Sequence, residues 1–187
     1  MQEEQIEKFG NIRLKNEQLA KLEIDYWQNF SSLGTWQFWV VVVMIIVPLV
    51  ILFFAIDRQR ALLLGFFGFN YHTWFSYTNT VGIKFGLWEY PYQIVPFLPS
   101  FALDAALVPI IFMLFYQWTI NHHKNVYLYA ILLSAILAFI MKPILVFFDF
   151  FHMFYWVNYF YLFLFYYLFF LVSIMITNLF LWLQTKA

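Results

Sequence analysis

Asp104 and Lys142 sit inside apolar runs long enough to cross a bilayer, and only nine charged residues interrupt the stretch from Trp36 to Leu183. A charge in hydrocarbon is expensive, so each one is by default a candidate functional position. A carboxylate at such depth can ligate an ion or move a proton. An amine there can pair with an acid or act as a nucleophile, as in a Schiff base. Counting spans along the chain brings further polar residues to the same end of the molecule. Lys84, Glu89, Asp104, Lys142, Asp149 and His152 all fall in or beside the outer half, and the set stands or falls with the span count. Between residues 72 and 80 a polar stripe formed by His72, Thr73, Ser76, Asn79 and Thr80 recurs at near-helical spacing. Such side chains bond helices together in membranes at about 0.6–2 kcal/mol each, and the same stripe could line a water-filled path.

Each of these residues also has an ordinary structural reading. Asp104 lies in the first turn of its span, where the positive end of the helix dipole stabilises a carboxylate by about 0.3–1 kcal/mol. Lys142 is expected to pair within the bundle, with Asp104 and Glu89 as the nearest candidate acids. Asp149 lies seven residues on, about 10 Å along the same face, too far for a tight pair unless Pro143 bends the helix. His122 and His123 are adjacent and diverge on a helix, His72 and His152 stand alone, and no metal site is expected. The sequence has no Gly-rich phosphate loop and no Gly-x-Ser-x-Gly elbow, so no cofactor is implied. Gly82 and Gly86 have the spacing that lets two helices approach closely.

The elements that must hold these residues follow from composition. Of 187 residues 64% are hydrophobic and 11% charged, against about 45–50% and 25% in soluble domains. Net charge is zero, so no nucleic-acid partner is implied. Cysteine is absent, which removes disulfides and thiolate chemistry together. Residues 2–33 form a charged segment in which Leu19, Leu22, Tyr26 and Phe30 recur at helical spacing. It reads as an amphipathic helix outside the membrane, without the sustained heptads of a coiled coil. Five spans are expected, over 36–56, 61–86, 101–121, 127–148 and 158–183, followed by a short C-terminal tail at 184–187. Pro91, Pro96 and Pro99 exclude a helix through 87–100, and Ser100 is the expected N-cap of the third span. Arg58, Arg60, Lys124 and Lys186 gather on one side, together with Asp57, His122 and His123. The loops 87–100 and 149–157 carry neither Lys nor Arg. The basic side is therefore expected in the cytoplasm and the N-terminus outside. The aromatic run from 154 to 170 reads as an interfacial belt leading into a lipid-facing helix.

Phe85-Gly86-Leu87-Trp88-Glu89-Tyr90-Pro91, then Asp104 with Pro109 five residues on, then Phe115-Tyr116-Gln117, resemble a family of small multi-span membrane proteins of Gram-positive, spore-forming bacteria. The resemblance covers roughly 36–183. It implies a bacterial cytoplasmic membrane location and carries no established activity. That pattern commonly has an acid near the position of Lys142, and this chain departs from it there.

The expected fold is an all-α transmembrane bundle of about five spans with an N-terminal amphipathic helix. The leading functional expectation is a non-enzymatic interaction or accessory subunit. Its partners would be the bilayer, a second copy of the chain or another membrane protein. A small oligomeric transporter or channel using Asp104 and Lys142 is the first alternative. A lipid-modifying enzyme using Glu89, Asp104 and His152 as acid and base is the second.

Overall fold

The computed structural model describes residues 2–98 and 100–186. Helix α1 (Glu3–Phe30) is followed by α2 (Trp36–Ala55) and α3 (Ala61–Lys84). Strand β1 (Trp88–Glu89) comes next, then α4 (Ala102–Asn121), α5 (Val126–Phe147), β2 (His152–Met153) and α6 (Tyr159–Gln184). The expected all-α bundle is therefore the observed fold, and helices begin and end within a residue or two of the five expected segments. Among the described residues four helices, α2, α4, α5 and α6, are long and apolar enough to cross a membrane. Helix α3 has 24 residues, about 36 Å, and packs along both α4 and α6, but its polar stripe lowers its hydropathy.

Short side chains open and close these helices. Thr35 caps α2, Asn125 accepts from the amides of Tyr127 and Leu128 at the start of α5, and Asn158 accepts from Phe160 at the start of α6. Three helix ends use one device, a left-handed residue followed by an amide that reaches back five positions. Gly86 (φ 65°), His123 (φ 51°) and Asp149 (φ 60°) are the left-handed residues. Leu87 N–H then bonds Gly82 O at 2.9 Å, Lys124 N–H bonds Thr119 O at 3.0 Å, and Phe150 N–H bonds Leu145 O at 2.8 Å. Gly86 is thus a helix stop rather than part of a helix–helix contact, and Gly82 lies against the Trp88 indole, where a Cβ would collide.

Helices α4 and α5 each contain a π-helical stretch, Ala102–Leu107 and Leu137–Met141, and each stretch is followed two residues later by a proline. A proline ring clashes with the carbonyl four residues back, and widening the helix ahead of Pro109 and Pro143 relieves that clash. Ser100 was expected as the N-cap of this span; its hydroxyl instead donates to the Asp104 carboxylate, and the helix begins without a side-chain cap.

Packing rests on aromatic rings. Phe67, Tyr71, Phe112 and Phe170 are fully buried, Tyr71 stacks on Phe112 at 4.3 Å, and Phe67 meets Tyr116 at 4.5 Å. Ala130, Ser134 and Ala138 recur every four residues on α5, all fully buried, giving a stripe of small side chains where α5 packs on its neighbours. At one end Gln117 ties α2 to α4. Its Oε1 accepts from Asp57 N–H at 2.7 Å and its Nε2 donates to Ala55 O at 2.8 Å. At the other end β1 and β2 pair antiparallel, with Trp88 opposite Met153 and Glu89 opposite His152, so the two long loops form one cap over the bundle. Helix α1 has no buried residue. It is held at its C-terminal end, where Trp27 Nε1 and Ser31 Oγ both donate to Gln93 O (3.0 and 2.9 Å) and Gln93 N–H donates to Ser31 Oγ at 2.7 Å.

Candidate functional site

The centre of the site is Asn79, buried on α3. Its Nδ2 donates to one oxygen of the Asp104 carboxylate, and Ser100 Oγ, one turn before Asp104, donates to the other. Asn79 Oδ1 accepts from Trp88 Nε1 at 2.8 Å and from the Tyr90 hydroxyl at 3.0 Å. The Tyr90 hydroxyl in turn accepts from Lys142 Nζ at 3.4 Å. One continuous chain of bonds therefore runs from α4 through α3 and the β1 loop to α5, and it links Asp104 to Lys142 without direct contact between them. An amide side chain suits the middle position because it donates on one side and accepts on the other.

Lys142 is 2% exposed. Its ammonium faces the ring of Phe151 at 3.4 Å and that of Tyr90 at 5.0 Å, so ring quadrupoles supply part of its stabilisation. Among the described residues no carboxylate lies within ion-pair distance of it. The expected pairing within the bundle is thus realised through Asn79 and Tyr90 rather than as a salt bridge. Glu89 is exposed and takes no part. Lys142, Asn79, Trp88 and Tyr90 border a cavity of about 20 Å³ whose other walls include Phe165 and Tyr166.

His72 solves a backbone problem. In the π-helical stretch Val108 N–H bonds Leu103 O, five residues back, and the next amide in that register would bond Asp104 O. Residue 109 is proline and has no N–H. His72 Nδ1 lies 2.6 Å from Asp104 O, and since a carbonyl only accepts, Nδ1 is the protonated nitrogen. Ser76 Oγ sits 3.3 Å from the same nitrogen.

The structure divides the residues expected to cluster. Asp104 and Lys142 share the buried network. Glu89, Asp149 and His152 lie together on the surface of the loop cap, with His152 Nε2 3.7 Å from Asp149 Oδ1 and opposite Glu89 across the strands. Lys84 is exposed at the end of α3. Within the polar stripe His72, Ser76 and Asn79 point into the network. Thr73 and Thr80 bond back to carbonyls of their own helix, Phe69 O at 2.8 Å and Ser76 O at 2.9 Å. Among the described residues no group of three or more acids and histidines could hold a metal ion. Sequence reasoning missed Trp88, Tyr90 and Tyr166 as parts of the site, and gave Ser100 a different role. The i, i+4 spacing of Ser100 and Asp104 was a usable signal; Tyr166, one tyrosine in an aromatic run, offered none.

Fold and site together define a polytopic helical membrane protein with a buried polar core. The chain matches no family model, and comparison with curated proteins and with solved structures returns no match.

Proposed function

We propose that this chain is a five-span, non-enzymatic membrane subunit whose polar core is a structural clamp and whose exposed N-terminal helix is presented to a partner. The observation that carries the reading is the internal use of the polar core. Both Asp104 oxygens, both ends of the Asn79 amide and the Tyr90 hydroxyl are engaged by other protein groups. The Asp104 carboxylate is thus held on both oxygens by protein donors inside a packed core. Helix α1 is the complementary feature: 28 residues with none buried, anchored among the described residues near Gln93. Helix α3 is the fifth crossing: His72, Ser76 and Asn79 turn into the buried network, and Thr73 and Thr80 bond carbonyls of their own helix. Exposed Trp36, Trp39, Trp156 and Tyr161 ring the end nearest the cap, while Trp118, Tyr127 and Trp182 ring the other, as interfacial belts do.

The basic turns favour a cytoplasmic position for the end that carries Arg58, Arg60 and Lys124. The motifs around Glu89, Asp104 and Gln117 favour a bacterial cytoplasmic membrane. The transporter reading rests on the burial of two opposite charges in one network. Purified protein reconstituted into liposomes and assayed for proton, sodium, potassium and chloride flux separates the two. The clamp reading expects no flux above empty liposomes and a lowered unfolding midpoint for Asp104→Asn. Flux that Asp104→Asn abolishes while the protein stays folded would establish transport instead.

A further inference from the structure

Tyr166 Oη is buried and finds no hydrogen-bond partner among the described residues. Leaving such a hydroxyl unbonded costs about 1–3 kcal/mol, so buried ones are nearly always matched to something. Tyr166 borders the same cavity as Lys142. Lys142 Nζ carries three N–H donors but makes one bond, to Tyr90 at 3.4 Å, and no carboxylate touches it. Asp104, the nearest acid in the network, has each oxygen committed to another donor. The remaining walls are aromatic or aliphatic, from Phe75, Leu162 and Phe165 among others, with Thr78 the one further hydroxyl. The free polar hydrogens bordering this space therefore belong to an ammonium, to hydroxyls and to the second N–H of the Asn79 amide. The cavity, about 20 Å³, holds one occupant of water size.

We propose that the cavity between Lys142 and Tyr166 is a binding site for a single small monovalent anion, a halide, held by the Lys142 ammonium and the Tyr166 hydroxyl. The anion supplies the contacting counter-charge that Lys142 otherwise lacks, and it engages the free phenol. Gluconate and sulfate are excluded by size. Occupancy ties α5 to α6 across a space that protein atoms alone do not bridge. The proposal concerns binding, and it does not depend on whether the chain acts as an accessory subunit.

The test uses the full chain in lipid nanodiscs, with chloride, bromide and gluconate as sodium salts at one ionic strength. Chloride and bromide are expected to raise the unfolding midpoint saturably over gluconate, because a ligand bound only to the folded state stabilises it by mass action. Tyr166→Phe keeps the ring and is expected to weaken halide binding about tenfold, the worth of one hydrogen bond to a charged group. Lys142→Met is expected to abolish the response. Crystals grown in bromide should show an anomalous peak within hydrogen-bond reach of Lys142 Nζ and Tyr166 Oη. Equal midpoints in chloride and gluconate overturn the proposal, as does a halide response undiminished in Tyr166→Phe. A water rather than bromide at that position overturns it as well.

Discussion

Asn79 is the residue on which the buried network depends, since it alone touches Asp104, Trp88 and Tyr90. Asn79→Ala removes one side chain and leaves three groups without their partner. The expected loss of stability is about 2–4 kcal/mol, from unpaired buried groups at about 1–3 kcal/mol each with partial rearrangement. Reversible unfolding in mixed micelles measures it, and a loss below about 1 kcal/mol would show that the network does not hold the helices. Lys142 behaves differently. A buried charge replaced by an apolar side chain of similar length is often neutral, and Met packs well against aromatic rings. Lys142→Met in gluconate is therefore expected to stay within about 1 kcal/mol of the parent on the same assay. The contrast follows from bonding: Asn79 makes three short side-chain bonds, while Lys142 has one long bond and two ring faces.

The helix ends were only partly legible in the sequence. Gly86 announces a stop, but His123 and Asp149 take the same left-handed conformation without the residue that suits it. His123→Gly and Asp149→Gly are each expected to raise stability by up to about 1 kcal/mol, because the Cβ strain at positive φ disappears. Thermal unfolding of the two variants checks this. A fall on Asp149→Gly would mean that its contact with His152 matters more than the turn. Span counting places Asp149 in the outer-half set of polar residues. What it does in the structure is end a helix. Pro109 is visible in the sequence, yet its consequence, a wide π turn with the Asp104 carbonyl satisfied by His72, needed a partner 32 residues away in sequence.

At the scale of the molecule, α1 and the bundle are separable. No residue of α1 is buried, and its bonds to Gln93 come from Trp27 and from Ser31 just beyond its end. Deleting residues 1–24 is expected to leave the unfolding midpoint of the bundle unchanged while reducing the size of the complex seen by cross-linking in native membranes. A drop in midpoint would mean that α1 braces the bundle, and an unchanged complex would remove α1 as the presenting surface.

Composition and periodicity alone determined that this chain is a bundle of apolar helices, roughly where each helix runs, and which two charges lie deep. These are local properties: hydrocarbon length, proline's missing amide and capping side chains act within a few residues. Tertiary structure alone decided that Asp104 and Lys142 communicate through Asn79 and Tyr90 without touching, and that Glu89, Asp149 and His152 belong to a surface cap. Those outcomes depend on how α3, α4, α5 and the two loops meet. One polar side chain satisfies another only when packing brings both to the same place, and helical spacing along one chain says which face a residue is on, not what that face will meet.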